Sequence, residues 1–174
     1  TVDLSGFGGS APPDGLYDRD VEDALAVLAS LAPELPLHVW AVSSGGHWTI
    51  PLLARRDGVA GAMFEDVAPH ILRWSMRAAP YFAPAYLVFE AALPRAFRYL
   101  DMRRHAPYLG RMATAFVSGE KDRGIPPAAT ERLARLAGGA WRIVRNAPHL
   151  GAIKLAPREV IGLALKTFER ATSR

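Results

Sequence analysis

The chain has 174 residues, half of them hydrophobic and 22% charged, which is apolar material enough for one compact domain and too much for a disordered one. Lysine and arginine exceed aspartate and glutamate only by 21 to 17, and the excess is scattered arginine, so no nucleic-acid-binding stripe is expected. The absence of cysteine removes disulfides, thiolate metal sites and a cysteine nucleophile, and no apolar run reaches the roughly 18 to 20 residues a membrane helix needs.

Residues 1–4 read as a strand end entering the glycine-rich turn Ser5-Gly6-Phe7-Gly8-Gly9-Ser10. Asp18 or Asp20 is placed to cap a helix with Val21, Leu25 and Leu28 on one face. A second strand, 37–41, runs into Val42-Ser43-Ser44-Gly45-Gly46 and then an apolar helix reaching about Ala54. Residues 59–64 form a third strand. The pattern over 67–109 changes to a helical, aromatic-rich insertion holding Trp74, Tyr81, Phe82, Tyr86, Phe89, Phe97 and Tyr99, which predicts a cap over the sheet. Strands at 112–117 and 141–144 follow, with a helix over 127–136 between them. The last helix starts at Pro157, a residue suited to a first turn, and buries Val160, Leu163, Ala164 and Phe168. Short apolar runs alternating with helical stretches predict an α/β fold: a mainly parallel sheet with helices on both faces, one domain over 1–174.

A serine hydroxyl is a weak nucleophile unless a base lies within hydrogen-bond reach and donors await the oxyanion. Leu37-His38-Val39-Trp40-Ala41-Val42-Ser43-Ser44-Gly45-Gly46 reads as strand, sharp turn and helix, the setting in which a serine is held strained with its oxygen exposed. Small residues two positions either side let the strand and helix pack. For Ser43 these are Ala41 and Gly45; for Ser44 they would be Val42 and Gly46, which puts a β-branched side chain in the crowded spot and favours Ser43. An acid-bearing turn follows a strand in Ala115-Phe116-Val117-Ser118-Gly119-Glu120-Lys121-Asp122-Arg123-Gly124-Ile125-Pro126, and Asn146-Ala147-Pro148-His149-Leu150-Gly151 follows the last strand.

These segments, in the order serine, acid, histidine, resemble the α/β-hydrolase family, and Asp3-Leu4-Ser5-Gly6-Phe7-Gly8-Gly9-Ser10 is similar to that family's turn after its fourth strand. The usual first glycine of G-x-S-x-G is Ala41 here. The resemblance covers nearly all of the chain apart from the insertion. It implies that Ser43 attacks a carbonyl, His149 takes and returns the proton, and Asp122 holds the imidazole tautomer, with the Ser44 amide as one oxyanion donor. Some relatives place the acid after the sixth strand, where this chain has Glu65-Asp66; Gly119-x-x-Asp122 with Pro126 matches the commoner arrangement.

His47, Trp48 and Trp74 are candidate substrate-lining residues, while His38, His70 and His105 lack an acid partner or metal-ligand spacing and read as structural. The resemblance implies a serine hydrolase for a carboxylic ester or thioester, using an acyl-enzyme and no metal or organic cofactor. Relatives also cleave carbon–carbon bonds or form peracids with the same residues. The aromatic insertion favours an apolar small-molecule substrate, and a non-catalytic binding module is the alternative. The family's sheet order, 1-2-4-3-5-6-7-8, places its third strand between residues 1–4 and 37–41. An upstream segment is therefore expected to fill that gap and supply a second oxyanion donor, making this a truncated α/β-hydrolase fold. The chain opens abruptly at Thr1 without a methionine or a charged leader, which leaves room for a signal peptide lost with whatever lies upstream, and a cytoplasmic location is no more than the default expectation.

Overall fold

Four short runs of small, β-branched and aromatic residues form the sheet in the computed structural model, which describes residues 18–31, 33–70, 81, 83–92 and 98–172. The expected strand at 1–4, the glycine-rich turn after it and Trp74 lie outside the described residues. The strands are β1 (Leu37–Val42), β2 (Val59–Glu65), β3 (Ala113–Gly119) and β4 (Ala140–Val144), all parallel and ordered β1-β2-β3-β4. Every residue of β3 is buried, as a central parallel strand covered on both faces requires. It runs two residues beyond the 112–117 expected, because Ser118 and Gly119 stay paired with Ile143 and Val144.

The helices are α1 (Asp18–Leu31), α2 (Gly45–Leu53), α3 (Ala83–Ala92), α4 (Met102–His105), α5 (Pro127–Ala137), α6 (Ala152–Leu155) and α7 (Pro157–Thr172), with a 3₁₀ turn at Ala106–Arg111. Successive strand residues point to opposite faces. Ala62, Phe64 and Phe116 meet Ile50 and Leu53 of α2, Leu133 and Ala137 of α5, and Leu25 of α1; Met63, Ala115 and Val117 meet Val160 and Ala164 of α7. Helix α5 begins with Pro127 and stops where Gly138 takes a left-handed φ of +65°, a conformation glycine adopts without steric cost.

Three side chains differ from the sequence expectation. Leu28 of α1 is 46% exposed rather than facing the core with Leu25. On α7, Leu163 and Phe168 only flank the core, and Thr167 takes a buried place, its hydroxyl donating to the Leu163 carbonyl. Between β2 and β3 the chain makes a long excursion whose two ends meet: the Met102 N–H donates to the Pro69 carbonyl at 2.8 Å, and His70 bridges Asp101. Among the described residues no helix is long and apolar enough to cross a membrane.

Candidate active site

Because the four strands are parallel, the loops leaving their carboxyl ends all emerge on one edge of the sheet, where α/β proteins commonly bind ligands. Ser43 follows β1, Asp66 follows β2, Asp122 lies three residues beyond β3 and His149 five beyond β4. Residues 106 apart in sequence thereby meet: Ser43 Oγ and His149 Nε2 are 3.0 Å apart. His149 Nδ1 lies 2.6 Å from Asp122 Oδ2. A carboxylate only accepts, so Nδ1 carries the proton and Nε2 is left to accept from the Ser43 hydroxyl.

Each member is held by its own local structure. Ser43 has φ +49°, a left-handed conformation that costs a non-glycine residue about 1–3 kcal/mol and persists where the surroundings impose it. Its N–H donates to the Glu65 carbonyl at 2.8 Å, extending the β1–β2 ladder by one residue, and its carbonyl accepts from Gly46 at 3.1 Å. The tight contact behind the serine falls at Gly46 rather than Gly45. A Cβ on Gly46 would lie 2.7 Å from Val67 Cγ1 and closer still to Cγ2, whereas one on Gly45 would meet nothing within 4 Å. The requirement for smallness thus falls three residues after Ser43, because Val67, leaving β2, presses on that turn of α2. Ser44 opens α2, and its amide donates to no carbonyl among the described residues.

Asp122 Oδ1 accepts from the Gly124 and Ile125 amides at 2.9 and 2.8 Å, which leaves Oδ2 for His149. The acid and histidine turns are stitched together where the Lys121 N–H donates to the Ala147 carbonyl at 2.8 Å. Gly119 makes that approach possible: a Cβ there would stand 2.5 Å from the Ala147 oxygen and 2.7 Å from the Pro148 oxygen.

Asp66, the other acid considered, stands 4.0 Å from His149 Nδ1 against 2.6 Å for Asp122. It is fully buried at 0% exposure, and its two oxygens accept from the Gly119 amide at 2.9 Å and the Leu150 amide at 2.7 Å. Burial pushes its carboxyl above the usual carboxylate range against the pull of those amides, and burial raises Glu65 beside it in the same way. Among the described residues, Asp66, Asp122 and His149 offer atoms within 4.8 Å of one another and form a group that could hold a cation; all three side chains are already committed to hydrogen bonds.

Of the substrate-lining expectations, His47 is only 1% exposed, packed within the first turns of α2, and burial pushes its imidazole down to about 4. It presents no surface to a ligand here. Trp48 is half-buried on α2. His38 stacks on Phe168 with ring centres 4.5 Å apart, and His105 Nε2 pairs with the Tyr99 carbonyl at 2.9 Å.

No family model and no curated protein matches the sequence. Solved structures do match. An esterase of Pyrococcus furiosus superposes with a TM-score of 0.73 at 14% identity over 97% of this chain and 68% of its own. A bacterial membrane phospholipase A gives 0.68 at 19% identity over 99% and 70%. A puromycin hydrolase gives 0.65 at 21% identity over 88% of this chain; the present chain spans only 25% of that protein's length. Together with the parallel sheet and its flanking helices, these likenesses make this an α/β-hydrolase fold.

Proposed function

We propose that the protein is a serine hydrolase that cleaves a carboxylic ester or thioester through an acyl-enzyme, with Ser43 as nucleophile, His149 as base and Asp122 as its orienting acid. The observation that carries the reading is the continuous row from Ser43 Oγ to His149 Nε2 at 3.0 Å and from His149 Nδ1 to Asp122 Oδ2 at 2.6 Å, at a serine held at φ +49°. Ser43 Oγ bonds to the carbonyl carbon as its proton passes to His149 Nε2. The imidazolium next to Asp122 is stabilised, and it returns the proton to the departing alkoxide or thiolate. Water repeats the sequence on the acyl-enzyme, giving the carboxylic acid and free Ser43. The Ser44 amide, next after the nucleophile at the N-terminus of α2, serves as one oxyanion donor, helped by the helix dipole.

An apolar acyl or aromatic group is the favoured substrate part. Tyr81 and, on α3, Leu87 and Val88 are each more than half exposed, apolar surface on the excursion that the sequence pattern reads as a cap. Hydrolysis by the structural neighbours named above is consistent with this chemistry.

Labelling with a fluorophosphonate tests the reading without requiring the substrate. Wild-type protein and Ser44→Ala are expected to label and to hydrolyse p-nitrophenyl esters, and Ser43→Ala to do neither. Full labelling of Ser43→Ala refutes the nucleophile, and a wild-type protein inert to the probe favours a binding module instead.

A further inference from the structure

Asp66 is not used by the reaction just described, yet it occupies the centre of the site. Burying a carboxylate is costly unless its oxygens are compensated, and both are, by amides from two different loops: Gly119 at 2.9 Å and Leu150 at 2.7 Å. Gly119 ends β3 and opens the turn that carries Asp122. Leu150 is the residue after His149.

The second bond bears on the direction of the imidazole. His149 and Leu150 are the central residues of a turn closed by the Gly151 N–H donating to the Pro148 carbonyl at 2.9 Å, and Leu150 has φ +58°. Positive φ at the third position is the type II arrangement, normally given to glycine; in the type I alternative the central peptide is flipped and its N–H points elsewhere. The Leu150 side chain is 43% exposed, so the hold that packing has on this conformation is weak. In that orientation the Leu150 N–H meets an Asp66 oxygen at 2.7 Å. The groups acting on that carboxylate are Asp122 and His149, with Glu65 adjacent in the chain.

We propose that Asp66 is a positioning residue for His149: by bracing the Gly119 and Leu150 amides it fixes the peptide after the histidine, so that one imidazole meets Ser43 and Asp122 together. Its own Oδ2, 4.0 Å from Nδ1, does not take part in the proton's path. The effect on turnover rests on the serine-hydrolase reading; the brace itself does not.

Two measurements test it. In the wild-type protein, NMR titration is expected to move the Gly119 and Leu150 amide protons together as Asp66 protonates. Amides that do not follow a common titration overturn the brace whether or not the protein is active. In Asp66→Asn, a residue that tolerates the φ of +50° at this position, the side chain has one acceptor for two amides. The expected result is a kcat lower by about 10- to 100-fold with KM within about threefold, and a broadened downfield Nδ1 proton signal from His149. An unchanged kcat and an unchanged His149 signal refute the proposal while leaving the Ser43 reading intact. Absence of any hydrolysis by wild type counts against that reading, and the two NMR observations still decide the brace. If Asp66→Asn does not fold, the wild-type titration decides it.

Discussion

Replacing Asp122 by asparagine changes one atom, and the surroundings dictate which way the new amide turns. Oδ1 accepts from the Gly124 and Ile125 amides at 2.9 and 2.8 Å, so the asparagine must keep its oxygen there. Its NH₂ then faces His149 Nδ1 at the position where Oδ2 now lies at 2.6 Å. An NH₂ donates, so Nδ1 becomes the acceptor and the ring proton moves to Nε2. That nitrogen then faces Ser43 Oγ as a donor and cannot take the hydroxyl proton. A wrong tautomer of this kind costs on the order of 10³- to 10⁴-fold in kcat, equivalent to about 4–5.5 kcal/mol of barrier. Ester turnover and the fluorophosphonate labelling rate should fall together, with KM little changed and the thermal midpoint nearly preserved. Turnover within tenfold of wild type refutes the reasoning, and with it the role of Asp122.

Gly46→Ala forces a Cβ into Val67, which is fully buried and has nowhere to retreat; such overpacking costs about 1–3 kcal/mol. A lowered urea midpoint is expected, with Gly45→Ala, which meets nothing within 4 Å, as the silent partner. Equal effects of the two substitutions contradict the packing account. The buried His47, pushed from 6.5 down to about 4, stays neutral in the fold while the unfolded chain takes up a proton. Its contribution is therefore fully present above pH about 6.5 and is lost as pH falls toward 4, a difference of about 3 kcal/mol. Glu65 and Asp66, raised by burial, act with the opposite sign, so the comparison is made between variants. From pH 7 to 4.5 the wild type should lose about 2.5 kcal/mol more stability than His47→Gln in urea titrations; parallel curves refute it.

The four described strands and helices α1, α2, α5 and α7 were legible because apolar runs bounded by Gly, Pro and Asp turns mark parallel strands strongly, whereas the four-residue α6 carries no such pattern; that Ser43, Asp122 and His149 come within hydrogen-bond reach was legible because each sits in a short motif with its own local geometry. Asp66 was visible only as a competing acid. Its partners are main-chain amides of Gly119 and Leu150, and a backbone N–H leaves no mark in a sequence. The same holds for Gly46: spacing alone pointed to Gly45, and only the path of Val67 off β2 shows which glycine is pressed. His47 looked like a lining residue because it is one turn from Ser43, but the phase of α2 turns it inward.

The backbone bridge that closes the β2–β3 excursion, His70 opposite Asp101 with the Met102 N–H on the Pro69 carbonyl, works like a drawstring. It joins the start and the end of the excursion next to the sheet, close to where Asp66 leaves β2. On the serine-hydrolase reading proposed above, with the excursion as the cap, grafting a foreign excursion between Pro69 and Met102 should alter which acyl groups are accepted before it alters the rate of bond cleavage itself.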